Sequence, residues 1–191
     1  MLPNKLTIEV SAVSSRVPGQ AREIASPIAI RVPAIMNGGK DGPLFHAQGL
    51  WDTGATNSAI SANLAQAMGL QPVDKAQTLG VHGPEIVNVY LVDILIPGTT
   101  VCFQRWTVSE AKLPVHGLLI GMDIIGLGDF SITHDLTNTI FSFRIPTLQQ
   151  PVDYVAEIQE HNRQLQRSVV NEQARADRRA FLKKNRKKKP R

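Results

Sequence analysis

Short runs of β-branched and aromatic residues, each bounded by Gly, Pro, Asn or Asp, dominate residues 5–145. They predict strands at Leu6–Val13, Ile28–Ile35, Val87–Ile96, Val101–Val108, Leu118–Ile120, Phe130–Thr133 and Thr139–Ile145. Turn signals at Asn37-Gly38-Gly39, Asp41-Gly42-Pro43, His82-Gly83-Pro84 and Pro97-Gly98 separate them. Alternation within Val89–Ile94 is only partial, as expected of a strand covered on both faces. Two short helical patterns interrupt the strands. Ser61 is placed to cap a helix over 62–68 that stops at Gly69, and a brief turn is expected near Met122–Leu127. Pro146 and Pro151 close the β-rich part. After them Val155, Ile158, Leu165, Val169 and Val170 form a loose helical stripe without glycine, predicting a helix over 152–180 and a frayed or disordered end from Phe181 to Arg191.

Composition narrows the class. The 191 residues suffice for one hydrophobic core and an appendage. No apolar run reaches the length of a membrane span, and Met1–Lys5 does not lead into an apolar segment, so neither a transmembrane chain nor a secretory leader is expected. Cys102 is the lone cysteine and the five histidines form no His-x-x-x-His pair, so no metal site and no disulfide are expected, and a cytoplasmic setting follows. The formal charge of +5 is unevenly placed: residues 151–191 carry 12 Lys/Arg against 5 Asp/Glu, whereas residues 1–150 carry 9 against 11. The basic character therefore belongs to the tail, and residues 175–191 are read as contacting nucleic acid, another anionic surface, or solvent alone.

The chemistry concentrates in Gly49-Leu50-Trp51-Asp52-Thr53-Gly54-Ala55-Thr56, where an apolar strand delivers a carboxylate into a tight turn. A carboxylate held there can act as general acid or base on a water. One carboxylate cannot do both in a single step, but two about 3 Å apart share a proton and can. Because the chain has a single Asp-Thr-Gly, the second carboxylate would come from a symmetry mate, which predicts a C2 homodimer.

Asp52-Thr53-Gly54-Ala55, together with Gly117-Leu118-Leu119-Ile120-Gly121-Met122-Asp123 further along and the glycine-bearing Thr78–Gly83 between them, resembles the retroviral-like aspartic proteases, or retropepsins, with their cellular and bacterial relatives. The resemblance covers roughly residues 25–145. It implies a mainly β, single-lobe acid-protease barrel with one or two short helices, occupying 25–148 between a 1–24 extension or first strand and a basic helical tail over 149–191. It also implies an aspartic endopeptidase acting on polypeptides without cofactor. By the same resemblance Asp52 would be the catalytic carboxylate, Thr53 would link the two active-site loops, Gly54 would permit the turn, and Ala55 would stand where a serine could otherwise donate to the carboxylate. Gly80, Val81, His82 and Gly83 would form a flap over substrate, and Leu119, Ile120 and Gly121 the second structural element. Trp51 departs from the smaller apolar residue usual before the aspartate, and is expected to fill the core beneath the loop or shape the dimer.

Other candidates have plainer readings. Asp123 lies where a short helix starts and is read as stabilising its N-terminus. His82 is either a substrate contact or an exposed loop histidine. His46, His116, His134 and His161 lack any partner pattern, and Cys102 is expected to be buried and inert. The alternative to a protease is a non-proteolytic peptide-binding or dimerisation module of the same fold that recruits an anionic partner through its tail.

Overall fold

A computed structural model describes residues 10–80, 83–147 and 151–186. They form two separate units, 1–148 and 149–191. The first is mainly β, with strands β1 (Ser11–Pro18), β2 (Ala25–Arg31), β3 (Phe45–Trp51), β4 (Ala59–Ser61), β5 (Asp74–Gly80), β6 (Gly83–Leu95), β7 (Cys102–Ala111), β8 (Leu118–Ile120), β9 (Asp129–His134) and β10 (Asn138–Ile145). Two short helices, α1 (Ala62–Ala67) and α2 (Met122–Ile125), complete it.

Seven strands run in the order β2-β3-β8-β4-β7-β6-β5, and β2 pairs back onto β6 through Ala29↔Leu95, Ile30↔Ile94 and Arg31↔Asp93. Six strands therefore close a hydrogen-bonded ring, with β5 attached outside it along β6. A ring this small is filled by its own side chains. Ile28, Ile30, Ile60, Val92, Ile94, Val108, Leu118 and Ile120 supply that filling, each at most 1% exposed. A separate three-stranded sheet, β1-β10-β9, lays Phe141 and Phe143 against the core on alternate positions of β10.

Several boundaries depart from the sequence reading. The described part of the first strand runs from Ser11 to Pro18, beyond the expected end at Val13, because every residue from Ser11 to Pro18 finds a partner on β10. β2 stops at Arg31 rather than continuing to Ile35, since Pro33 has no amide hydrogen to extend the ladder and Ala34–Met36 coil into a 3-10 turn. β4 is only three residues long, too short to show alternation, and forms because β7 and β8 lie on either side of it. The expected helix at 62–68 forms as α1: the Ser61 hydroxyl accepts from the Leu64 amide at 3.2 Å, and Gly69 takes a φ of 64°.

A bulge in β6 between Val92 and Ile94 turns Asp93 inward, leaving it 4% exposed. Its carboxylate accepts from Arg31 Nε at 3.1 Å and from the Arg105 amide at 2.8 Å, so the buried charge is paired. Cys102 beside it is half-buried; burial first, then the Asp93 charge, pushes its thiol up, which makes it a poor nucleophile.

Asp135 organises the β9–β10 turn. It accepts from the amides of Thr137 at 2.8 Å and Asn138 at 2.7 Å and pairs with Arg16 of β1 at 2.9 Å. The Thr137 amide and then the Asn138 side chain hold its carboxyl well below the usual carboxylate range. A depressed native pKa contributes stability that is present above the unfolded value, about 3.9, and is lost as pH falls through the native one. Asp135→Ala should therefore lower the urea midpoint at pH 7, and the gap from wild type should shrink by pH 2. A gap independent of pH would contradict this.

The second unit holds one helix, α3 (Tyr154–Arg186). Asp153 caps it, accepting from the amides of Val155 at 2.9 Å and Ala156 at 3.1 Å. The helix continues through Phe181 to Arg186, six residues past its expected end, so the frayed segment expected there is helical as far as Arg186. Nothing in that stretch is a breaker; Lys and Arg are good helix formers, and cations suit a C-terminal turn. Residues 187–191 lie outside the described residues. No helix among the described residues is long and apolar enough to cross a membrane.

Candidate active site

Asp52 sits at the end of β3, where that strand runs parallel to β8 in the register Gly49↔Leu118, Leu50↔Leu119, Trp51↔Ile120. Packing of these strands requires Gly49, since a Cβ there would meet Ile120 Cδ1 and Ile28 Cγ2 at 2.9 Å each. The Asp52 amide continues the ladder by donating to Ile120 O at 2.9 Å, and the chain then turns back as Ala55 N donates to Asp52 O at 3.2 Å. The half-buried Asp52 carboxylate accepts from the Gly54 amide at 2.8 Å, which orients it. A side chain at Gly54 would place its Cβ 3.1 Å from that same oxygen, so glycine leaves the carboxylate open. Thr53 is exposed in the turn, and Ala55 offers the carboxylate no hydroxyl.

The return of the loop is fastened to the far end of β8. Met122 N donates to Ala55 O at 2.8 Å and Asp123 N to Thr56 O at 3.1 Å, so the first free amides of α2 satisfy loop carbonyls. Gly121 makes this approach possible, because its Cβ would lie 2.6 Å from the Asn57 carbonyl carbon and 3.0 Å from Ala55 O. Gly121→Ala should thus displace the loop and cost roughly 1–3 kcal/mol. A thermal melt within experimental error of wild type would refute that. Leu119 is half-buried, whereas Ile120 is 1% exposed in the barrel.

Trp51 is a core residue. It is 5% exposed, its ring centroid lies 4.8 Å from that of Phe143 and 5.0 Å from that of Phe141, and its indole donates to Ser26 Oγ at 2.9 Å. The bulk before the aspartate thus fills the space between the barrel and the three-stranded sheet, directly beneath the loop.

Gly80 and Gly83 face one another as the last pair of the β5–β6 hairpin. Backbone pairing of β6 with β7 begins only at Val89↔Ser109, so residues 83–88 are paired along the hairpin alone, while Glu85 reaches Lys112 at 3.3 Å. Val81 and His82 lie outside the described residues. Where the hairpin leaves the barrel, Tyr90 donates to Glu110 Oε2 at 2.5 Å and Asn88 to the same oxygen at 3.2 Å. Burial and that bond raise the Tyr90 phenol, so it remains a donor at neutral pH. A cleft of about 450 Å³ opens between the start of α1 and the end of β7, lined by Ala62, Asn63, Lys112 and Pro114 among others; Asp52 is not in its lining.

The remaining candidates lie elsewhere. His46, His134 and His161 are exposed, and His116 approaches Glu23 at 3.3 Å. Among the described residues no group of His, Cys, Asp and Glu could hold a metal ion. Asp123 lies in the first turn of α2, and it also accepts from Ser58 Oγ at 2.7 Å and from Trp106 Nε1 at 2.9 Å. Those two partners went unread in the sequence. The available signal was a serine, Ser58, entering an otherwise apolar Ala59-Ile60 strand.

Neither a protein-family model nor a curated protein matches the chain. Among solved structures it is similar to a retropepsin-like aspartic protease from Rickettsia conorii, at 12% identity and a TM-score of 0.45 over 72% of this chain and 97% of that one. It is also similar to the retroviral protease-like domain of Ddi1 from Leishmania major, at 18% identity and a TM-score of 0.40 over 64% and 95% of the two chains. A third is EIAV protease in complex with an inhibitor, at 19% identity and a TM-score of 0.38 over 55% and 86%.

Proposed function

We propose that this protein is an aspartic endopeptidase whose active site is completed by a second copy of the chain. The observation that carries the reading is the Asp52 loop: a half-buried carboxylate at a strand end, oriented by the Gly54 amide at 2.8 Å and fastened on both sides to β8 and the start of α2. Such a carboxylate is fixed in position yet open to a ligand. Its chemistry requires a partner, because one group cannot remove a proton from water and supply another to the carbonyl at once. Two copies of Asp52 sharing one proton can divide these roles.

In the proposed reaction the ionised Asp52 takes a proton from a water as its oxygen attacks the peptide carbonyl carbon. The protonated Asp52 of the second copy gives its proton to the carbonyl oxygen, forming a neutral gem-diol. When the C–N bond breaks, the carboxyl that gained the water proton passes one to the leaving nitrogen. The other carboxylate recovers a proton from a diol hydroxyl as the acid product forms. Thr53, exposed beside the carboxylate, is the residue proposed to meet its counterpart across the two-fold axis. The β5–β6 hairpin is proposed to supply main-chain groups for an extended polypeptide by strand addition, those of Gly80 and Gly83 among them.

The test is cleavage of a peptide library from pH 4 to 7.5 across a range of protein concentrations, with and without a pepstatin-type inhibitor. We expect inhibitor-sensitive cleavage whose specific rate rises with concentration as copies pair. Cleavage untouched by the inhibitor, or a strictly monomeric active species, would overturn the reading.

A further inference from the structure

We propose that Asp123 is a positioning residue for the Asp52 loop, acting through Ser58 on one side and Trp106 on the other; this rests on the protease reading above. Ser58 is fully buried, and its hydroxyl oxygen accepts from the Gly121 amide at 3.1 Å while its hydrogen goes to Asp123 Oδ1 at 2.7 Å. The same carboxylate oxygen accepts from the Ile124 amide at 3.0 Å. The other, Oδ2, accepts from the Trp106 indole at 2.9 Å. A hydroxyl, an amide and an indole N–H thus converge on Asp123, and every one of them is a donor in this arrangement.

Only an acceptor-only group satisfies three converging donors. Asparagine keeps one acceptor oxygen but turns its NH₂ toward a donor, so the position demands a carboxylate. Stabilising a four-residue helix would require only the local bond to Ile124. The bonds to Ser58 and Trp106 reach further. Ser58 ends the Asp52 loop, and Trp106 lies on β7, opposite Val92 of β6. Asp123 therefore adds two side-chain bonds, one to the end of the loop and one to β7, beside the backbone bond that the Ser109 amide of β7 makes to Ser58 O at 3.3 Å. With both oxygens engaged it holds the loop and leaves the proton transfers to Asp52. Loss of this support would let the carboxylate wander, and misplacement on the order of 1 Å can lower a rate about 100-fold.

The experiment compares Ser58→Ala, Asp123→Asn, Trp106→Phe and the Asp123→Asn/Trp106→Phe double variant in the full chain. Steady-state peptide cleavage is measured together with backbone amide exchange. We expect kcat to fall about 10- to 100-fold in Ser58→Ala and Asp123→Asn with KM little changed. Exchange should accelerate at Gly121, Met122 and Asp123 but not at Phe141 and Phe143 of β10. Trp106→Phe should partly rescue Asp123→Asn, because it removes the donor that the asparagine NH₂ opposes. Unchanged kcat, or exchange accelerated equally throughout the β unit, would overturn the proposal. If wild type cleaves no peptide, the protease reading fails by itself. The exchange pattern then decides the positioning role alone: acceleration confined to the loop contacts supports it, and none refutes it.

Discussion

Asp52→Asn is expected to lower peptide cleavage about 100- to 10,000-fold while the protein stays folded. The asparagine retains the oxygen that accepts from the Gly54 amide at 2.8 Å, so the turn should survive. What disappears is the ability to exchange a proton with water or the leaving nitrogen. Mixing makes the same variant a test of the shared site. If each site needs Asp52 from two chains, an equal amount of Asp52→Asn added to wild type should leave roughly half the original activity after subunit exchange, since random pairing gives half of the wild-type protomers a wild-type partner. Activity that does not fall on mixing would exclude a dyad built across two copies. Cleavage that persists in the pure variant would point to another nucleophile or a contaminant.

Trp51→Ala should be the most destabilising single change in the β unit, costing about 3–5 kcal/mol. The side chain is 5% exposed and packs against Phe130, Phe141 and Phe143, so its removal opens a cavity between the barrel and the β1-β10-β9 sheet. It also leaves Ser26, 7% exposed, without the indole that donates to it. Trp51→Phe separates these effects. Keeping a ring but losing the N–H, it should cost about 1–2 kcal/mol. Urea unfolding followed by far-ultraviolet circular dichroism measures both, and a loss below about 1 kcal/mol in the alanine variant would show that the cavity collapses. Because Trp51 pairs with Ile120 and immediately precedes Asp52, activity should fall along with stability.

The two predictions draw on different kinds of legibility. Asp52-Thr53-Gly54-Ala55 is a weak signal by its first three residues, and it stands out through its combination with the following helix and Leu118–Asp123 further along the chain. Leu118–Ile120 was equally plain, an apolar triplet between glycines, and it forms β8 at those bounds. The Ser61 cap and Gly69 stop are local rules, and α1 follows them. Where local rules were outweighed, the neighbours explain it. β1 extends to Pro18 because β10 supplies a partner at every position, and α3 continues to Arg186 because nothing after Phe181 interrupts its backbone bonds.

That the chain is mainly β and that a basic helix follows the β-rich part could be read from the residues alone. These follow from side-chain periodicity, turn chemistry and charge, which act over a few residues. The tertiary structure alone decided the role of Trp51 as core filler, the closure of six strands into a ring, and the convergence of Ser58, Trp106 and Asp123. Those depend on residues far apart in the chain meeting through the β2–β6 closure, the packing of β9 and β10 on Trp51, and the pairing of β4 with β7 and β8, long-range contacts that no local pattern encodes.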